Sequence, residues 1–368
     1  MHEQSPASNR RLITRLILGV FAAAMVVRAA DSVRAYYFRD EESFAAASAH
    51  RAPHIERALI ISVDGLRPDV LLRARAPNIR SLMARGAFSM WARTTEVSIT
   101  LPSHTSMLTG VRPEHHRISW NYYIPDVYPD VPTIFERARE ASARPGKTRL
   151  TTGLVAGKSK FYELARPGSV DYSDIFDSDA SNVEVGEAAA YMIQRHAPKV
   201  MFVHLPDVDV IGHSLGWGSA SQLEAVERAD DAVGLILSAL AERSLTATTF
   251  IILSADHGGQ GWSHGANDPR SRHIPWIAAG PGVLRNYDLT RFKSLVINTE
   301  DTFATACAMM EIPIPNEIDG RFVREIRYND DLMRESKPPT KKDTRAYDLW
   351  WDPPEYEWEP EPIPSHHP

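Results

Sequence analysis

Carboxylate and imidazole side chains follow three apolar runs of the chain, and side chains of these two types can together hold divalent metal ions. The runs and the side chains after them are 58–63 with Asp64, 200–205 with Asp207, Asp209 and His213, and 249–253 with Asp256, His257 and, further on, His264. Zinc prefers imidazole nitrogen and carboxylate oxygen, and a catalytic zinc site leaves one coordination position open. The spacing therefore predicts a metal centre if the three runs end at one place.

Each of these patterns also has an ordinary structural explanation when it is considered alone. Asp64 before Gly65 is typical of a turn. Asp209 and His213 stand four residues apart, which is about one turn of a helix, but Asp207 competes for the same role. The prediction of a metal centre therefore depends on the combination of the three runs.

The elements that must position these side chains are strands. Apolar, β-branched runs are typical of buried parallel strands, whose carboxyl ends form the ligand-binding edge of open α/β sheets. Apolar residues at three- and four-residue spacing predict a long helix from Gln222 to Arg243. The alternation predicts an α/β fold with a doubly wound, mostly parallel sheet and helices on both faces. The predicted strands are 58–63, 150–156, 200–205, 249–253 and 275–279.

Thr100 is the candidate nucleophile. A threonine hydroxyl attacks poorly unless a base or a metal ion lowers its pKa. Because a Leu-Pro-Ser-His segment follows it, Thr100 is alternatively a strand-end hydroxyl or the N-cap of a helix that starts at Ser103. Beside a metal ion, the same hydroxyl would be activated for attack.

The chain resembles the alkaline phosphatase superfamily, and most closely its type I phosphodiesterase and nucleotide pyrophosphatase branch. The motifs that carry the resemblance occur in the family's order over residues 58–326. They are Val63–Arg67 (VDGLR), Thr100–His104 (TLPSH), Thr109–His116 (TGVRPEHH), Asn121, Asp209–His213 (DVIGH), Ala255–Gly258 (ADHG), Ser263–Gly265 (SHG, as in related ethanolamine-phosphate transferases) and Ile318–Phe322 (IDGRF). The resemblance implies an alkaline phosphatase-like fold.

The resemblance also implies two metal sites, with Zn²⁺ as the expected ion. The first site would contain Asp64, Asp256, His257 and the Thr100 oxygen, and the second would contain Asp209, His213 and His264. Asn121 falls where the family binds phosphate. Two adjacent ions can clamp both apical oxygens of an in-line displacement. The implied reaction is therefore attack by Thr100, formation of a phosphothreonyl intermediate, and hydrolysis.

The last ligand of the second site departs from the family pattern. In the nucleotide pyrophosphatases this histidine lies just before a Gly-Pro pair, whereas here Ala279 precedes the pair at 280–281. His264 is therefore the expected ligand, and His273 is the reserve.

Three further residues carry expectations. Arg117 stands where the family usually has glycine, and it is expected to affect the shape of a loop more than the chemistry. Gly153–Ser159 resembles a phosphate-binding loop, but it has three residues between its glycines where that motif requires four, which argues against an ATPase. Lys158 is expected to pack or to line the mouth of the site, and His204 is expected only to pack within its strand.

The composition excludes several classes of protein. The net charge of the 368 residues is −6, which gives no support for binding a nucleic-acid duplex. Cys307 is the single cysteine, so neither an intramolecular disulfide nor a cysteine-based zinc site can form.

The two ends of the chain differ in composition from its middle. Basic residues precede the uncharged stretch Leu16–Val27, which is shorter than the ~20 residues of a spanning helix. Residues 1–30 are therefore expected to be a signal peptide or, through residues 12–27, a membrane anchor of an exported protein, periplasmic or secreted. The predicted continuation is a linker at 31–57, an alkaline phosphatase-like catalytic domain at 58–328 and an extended or disordered Pro-, acidic- and Trp-containing tail at 329–368.

These features predict a two-metal phosphodiesterase or nucleotide pyrophosphatase whose substrate is a small phosphoester, such as a nucleotide or a lipid head group. The alternatives are a phosphoryl-group transferase, a phosphonate or phosphomonoester hydrolase of the same superfamily, and a non-catalytic binding protein of the cell envelope. The only membrane association expected is through the N-terminal segment.

Overall fold

The computed structural model describes residues 54–177, 180–292 and 294–327. The predicted signal peptide or anchor at 1–30, the linker as far as residue 53 and the tail at 329–368 lie outside these ranges. Within them, no helix is both long enough and apolar enough to cross a membrane.

Eight strands in the described part of the chain form one sheet. They are β1 (Arg57–Val63), β2 (Gly86–Arg93), β3 (Thr152–Ala156), β4 (Tyr172–Ile175), β5 (Val200–Leu205), β6 (Thr249–Ser254), β7 (His273–Ala279) and β8 (Tyr287–Asp288). Their order across the sheet is β4-β3-β5-β1-β6-β7-β2-β8. Of these strands only β7 runs antiparallel to its neighbours, so the predicted mostly parallel sheet is confirmed.

Helices connect the strands. The α-helices of the described ranges are α1 (Pro68–Arg73), α2 (Pro77–Ala84), α3 (Thr100–Thr109), α4 (Pro113–His116), α5 (Ile134–Ser142), α6 (Asn182–His196), α7 (Asp207–Leu215), α8 (Ala220–Glu242), α9 (Pro269–Arg272) and α10 (Asp301–Met309). Short 3₁₀ turns occur at Ser159–Leu164, Thr246–Thr248, Leu289–Arg291 and Arg324–Ile326. The long helix predicted between Gln222 and Arg243 is α8.

Both faces of the sheet are covered. Strands β5 and β6 are buried at every position, and successive side chains of a strand point to opposite faces, so both faces need cover. Helices α2, α6 and α8 pack together as one layer, α3 and α10 pack together as a second layer, and members of each layer contact the sheet. The predicted helices on both faces are confirmed.

The three runs that precede the acidic residues are neighbours in the middle of the sheet. β1 pairs in parallel with β5 on one side and with β6 on the other. Val63 pairs with Leu205, and Ser62 pairs with Ser254, so the three strands end at nearly the same level. The residues that follow them therefore leave the sheet at one edge.

Five strands are predicted by the sequence pattern and confirmed, whereas β2, β4 and β8 are not predicted. β4 has the sequence Tyr-Ser-Asp-Ile, β8 has two residues, and β2 interrupts its apolar side chains with Ser89 and Arg93. β4 and β8 are the outermost strands of the sheet, where polar side chains can reach water, and the apolar side chains of β2 are divided by the buried Ser89. A search for apolar runs therefore passes over them.

Arg117 has a left-handed backbone conformation. It follows α4 with φ of 68° and ψ of 2°, its backbone N–H donates to the Pro113 carbonyl at 2.9 Å, and its side chain is exposed. Glycine adopts this conformation without strain, whereas a residue with a Cβ atom does so at a cost. Arg117 therefore has a backbone conformation that suits glycine, and its effect on the shape of the loop stays a prediction.

We expect Arg117→Gly to raise the free energy of unfolding by about 0.5 kcal/mol. Removal of the Cβ relieves roughly 1 kcal/mol of strain, and the greater freedom of glycine in the unfolded chain offsets part of this gain. Urea denaturation measures the change. Arg117→Ala keeps the Cβ atom and is the matched control. If the glycine variant were no more stable than the alanine variant, the backbone at residue 117 would not be strained.

Candidate metal centre

Two groups of acidic and histidine side chains assemble at the carboxyl edge of the central strands. The first contains Asp64, Asp256 and His257, and the second contains Asp209, His213 and His264. Within each group, one nitrogen or oxygen atom per residue can be chosen so that all lie within 4.8 Å of one another. The structure thus brings together the residues that the sequence divided between two sites.

The first group is built where β1 and β6 end. Asp64 is fully buried directly after β1, and Gly65 turns the chain with φ of +74°. A Cβ atom on Gly65 would lie 2.9 Å from the Asp209 Cα, so only glycine lets this turn approach α7. The Gly65 N–H donates to Asp256 Oδ1 at 3.1 Å and joins the two carboxylates of the group.

His257 presents one defined ring nitrogen to the first group. Its Nδ1 lies 2.8 Å from the Gly258 carbonyl and donates to it, which leaves the Nε2 lone pair exposed to the group. Nε2 lies 3.3 Å from Asp64 Oδ1 and 3.2 Å from Asp256 Oδ2. Burial, followed by the charge of the neighbouring His264, lowers the pKa of His257 to about 4. The imidazole is therefore neutral at physiological pH, which is the form that binds metal ions.

The second group is built on α7 and on the loop after β6. Asp209 and His213 stand one turn apart on α7, and the His213 Nδ1 donates to the Trp262 carbonyl at 2.9 Å. The His264 Nδ1 donates to the Ser98 carbonyl at 2.8 Å. Both histidines therefore direct Nε2 toward Asp209 Oδ1, at 3.4 Å for His213 and 3.6 Å for His264.

The carboxylates of both groups leave oxygen atoms without hydrogen bonds. Asp64 Oδ1, Asp209 Oδ1 and Asp256 Oδ2 are buried, and none has a hydrogen-bond partner in the described ranges. Burial and the neighbouring Asp64 charge raise the pKa of Asp256 well above its usual range. A buried carboxylate without a partner is costly unless a cation compensates it. The donor set therefore fits divalent cations.

Thr100 lies beside the first group. It is the first residue of α3, Ile99 occupies the N-cap position, and the Thr100 side chain is buried. The N-cap alternative for Thr100 is therefore wrong, and the helix starts before the predicted Ser103. The Thr100 hydroxyl oxygen lies 3.4 Å from His257 Nε2, so it faces the nitrogen that is available for a metal ion.

Asn121 is fixed against the start of α3. Its Oδ1 accepts a hydrogen bond from the Leu101 backbone N–H at 2.9 Å and another from Lys160 Nζ at 3.0 Å. With the oxygen held in this way, the Nδ2 amino group is left to donate to a group beside Thr100.

Two further buried histidines, His204 and His104, make hydrogen bonds to residues of the first group or to Thr100. His204 Nε2 lies 3.0 Å from Asp64 Oδ2, so His204 contacts a candidate ligand and does more than pack. His104 Nδ1 donates to the Thr100 carbonyl at 2.8 Å, and its Nε2 accepts from the Ser62 hydroxyl at 2.7 Å. The sequence signal for His204 is a polar residue in an apolar strand, one position before the strand end and in register with Ser62.

Lys158 lies inside the site. Its Nζ is 2.6 Å from Asp64 Oδ2 in the first group and 2.6 Å from Asp209 Oδ2 in the second. Of the two expectations for Lys158, the position that lines the site agrees with these contacts better than simple packing does. Lys160, which sequence analysis did not single out, reaches the same site through Asn121.

Two other candidates lie elsewhere. Asp207 Oδ2 accepts from the Asn182 backbone N–H at 3.0 Å and so caps the start of α6. His273 begins β7, and its ring stacks on Trp91 with 4.7 Å between the ring centroids. His264, and not His273, completes the second group.

The central parallel sheet, with two acid–histidine groups at its carboxyl edge, defines an α/β protein of the alkaline phosphatase type with a candidate binuclear metal centre. A solved structure with this fold is murine ectonucleotide pyrophosphatase/phosphodiesterase 5, determined as an inactive variant in complex with AMP. It matches with a TM-score of 0.62 over 74% of this chain and 100% of that one, at 15% identity. The predicted fold class is confirmed.

The sequence comparison is more specific. The model of the family "type I phosphodiesterase / nucleotide pyrophosphatase" matches residues 58–268, and the chain belongs to this family. An uncharacterized pyrophosphatase/phosphodiesterase of Schizosaccharomyces pombe is 26% identical over 217 residues, which cover 54% of this chain and 44% of that protein. Ectonucleotide pyrophosphatase/phosphodiesterase family member 3 of Rattus norvegicus is 28% identical over 218 residues, 54% of this chain and 24% of that protein. The chain thus aligns with less than half the length of either relative.

We expect His264→Ala to bind about one zinc ion fewer per chain than the unmodified protein, because the second group would retain only Asp209 and His213. Elemental analysis after equilibration with zinc measures the content. His273→Ala is the matched control and should keep the full content. If only the His273 variant lost zinc, His273 and not His264 would be the ligand of the second group.

Proposed function

We propose that this protein is a metal-dependent hydrolase of phosphoric esters, of the phosphodiesterase and nucleotide pyrophosphatase type, in which Thr100 is the nucleophile. The observation that carries the proposal is the position of the buried Thr100 hydroxyl, 3.4 Å from the ligand nitrogen of His257 and next to carboxylate oxygens that lack partners. A hydroxyl in this place has no structural task as a helix cap.

Seven residues would bind and surround two divalent ions. Asp64, Asp256 and His257 would hold one ion beside Thr100, and Asp209, His213 and His264 would hold the other. Ligands of carboxylate and imidazole type favour Zn²⁺. Divalent ions at these groups would supply Lewis acidity, which lowers the pKa of the Thr100 hydroxyl and neutralises charge on the phosphoryl and leaving oxygens.

The reaction consists of two displacements at phosphorus. The Thr100 oxygen loses its proton to water and forms a bond to phosphorus while the bond to the leaving oxygen breaks, and the leaving group takes up a proton. Water then attacks the phosphothreonyl group, which releases phosphate or a phosphate ester and restores the hydroxyl. Asn121 Nδ2 would donate to an equatorial oxygen, where negative charge accumulates in the transition state.

The relatives support the choice of substrate class. Two of them are named as pyrophosphatases/phosphodiesterases, and the solved murine relative binds AMP. We therefore propose a small phosphoester as the substrate. The basic and apolar N-terminal segment supports our proposal that the protein is exported, to the periplasm or beyond the cell, and held at a membrane if the segment is not cleaved.

Thr100→Ala should keep its zinc and lose at least about 10³-fold in kcat, because the other ligands remain while the nucleophile is gone. Turnover of p-nitrophenyl phosphate and of bis-p-nitrophenyl phosphate, together with zinc analysis, measures both effects. Thr105→Ala is the matched control, since the Thr105 hydroxyl only donates to the Leu101 carbonyl within the same helix.

Parent-like turnover by Thr100→Ala would contradict the nucleophile assignment. If the zinc-loaded parent protein cleaved none of these esters, the proposed hydrolase activity would be wrong. A parent chain that binds no zinc would favour the non-catalytic binding protein.

A further inference from the structure

Two lysines of the site have no part in the mechanism above. Lys158 and Lys160 follow β3 and lie two residues apart, Lys158 just before the 3₁₀ turn Ser159–Leu164 and Lys160 within it. Lys158 Nζ lies between the two metal-ligand groups, in contact with one carboxylate of each. Lys160 Nζ donates a hydrogen bond to Asn121 Oδ1 at 3.0 Å. Both ammonium groups therefore reach the place where the phosphoryl group would be transferred.

The lysines are held there by a second set of contacts. Glu163, on the same 3₁₀ turn, accepts from Trp120 Nε1 at 3.1 Å and from the Ile124 backbone N–H at 2.7 Å. Tyr162 packs on Tyr123 with 5.6 Å between the ring centroids. The turn that carries the lysines and the loop that carries Asn121 are thus joined on both sides of Asn121. Lys160 is therefore placed by several anchors and not by one flexible contact.

Lys160 also lacks a charged partner. Its hydrogen bond goes to the neutral amide oxygen of Asn121, and no carboxylate forms an ion pair with it among the described residues. The side chain is partly buried in the site. A cation withdrawn from water without an anion is unfavourable, so its position favours an anionic ligand.

The number of ionised oxygens separates two kinds of phosphoric ester. A phosphodiester has two non-bridging oxygens and one negative charge. A phosphomonoester has three strong acceptor oxygens and about −1.5 to −2 charges at neutral pH. Asn121 and ions held by the two metal-ligand groups would account for the oxygens of a diester, whereas the third oxygen of a monoester would require further donors. Lysine binds such an oxygen as a point charge.

We propose that Lys158 and Lys160 bind the third ionised oxygen of a phosphomonoester, so that this enzyme prefers monoesters to the diesters suggested by its family name. The inference rests on the proposed function, because it concerns the group transferred to Thr100. Lys160 acts directly on the oxygen, while the Leu101 backbone N–H holds the Asn121 amide oxygen without it. Lys158 supplies the second positive charge between the two groups.

The test compares two esters with the same leaving group, p-nitrophenyl phosphate and methyl p-nitrophenyl phosphate. We expect the zinc-loaded parent protein to have the higher kcat/KM for the monoester. Lys160→Met should lower kcat/KM for the monoester by about 10–100-fold, the range of one charge-assisted hydrogen bond, and for the diester by less than about fivefold. Lys160→Arg, which keeps the charge, should retain the preference. Lys147→Met removes an exposed lysine from the loop before β3, at the opposite end of that strand from Lys158, and should change neither rate.

A binding measurement separates this inference from the hydrolase proposal. Calorimetry of zinc-loaded Thr100→Ala should give tighter binding of inorganic phosphate than of dimethyl phosphate. Addition of Lys160→Met to this variant should weaken phosphate binding at least about tenfold and leave dimethyl phosphate unchanged. Zinc analysis of each variant verifies that the metal content is equal.

Equal losses for the two esters in Lys160→Met, or unchanged phosphate binding, would overturn the role of the lysines while the hydrolase proposal stands. A parent protein that prefers the diester would also overturn it. If neither ester is cleaved but phosphate binding depends on Lys160, the lysines bind the anion and the hydrolase proposal fails instead.

Discussion

Three carboxylates buried at one edge of the sheet are the constraint on which the rest of the structure depends. Asp64, Asp209 and Asp256 each keep an oxygen without a hydrogen bond, which would be unfavourable in a folded protein without compensation. Their other oxygens are held by the Gly65 N–H, by His204 and by Lys158. The central strands β5, β1 and β6 end at one level, and this common end places the three acids close enough to share cations.

Three further segments of the chain meet beside this edge, around Thr100. The first turn of α3 carries Thr100, the loop after α4 carries Asn121, and the turn after β3 carries Lys158 and Lys160. Backbone and side-chain hydrogen bonds through Leu101 and Lys160 join all three segments at one amide oxygen. The basic turn thus contacts the acidic edge through Lys158 and the loop of Asn121 through Lys160.

The sequence predicts the parts of the site that have a local signal. The candidate ligand residues follow apolar runs or fall in short motifs, so these residues and five strands can be predicted from the chain, and the resemblance to the family divides the residues between two groups. Lys160 has no such signal, and His204 has only its polarity within an apolar strand, because the importance of both residues comes from neighbours distant in sequence, Asn121 and Asp64. Strands β2 and β8 are likewise held by pairing with partners and not by apolar pattern.

The reversed direction of β7 has a consequence for how this protein can vary. Since β7 enters the sheet at the edge where β6 leaves it, the segment 255–272 is a wide hairpin connection that carries Asp256, His257 and His264 of the candidate metal centre. Its base is closed by backbone bonds from Gly258 to Ser271 and from Gly259 to Arg270. Insertions or deletions beyond this closure would alter the pocket around His264 without rearranging the strands. The hairpin is therefore a part of the chain whose length can change while the sheet stays the same.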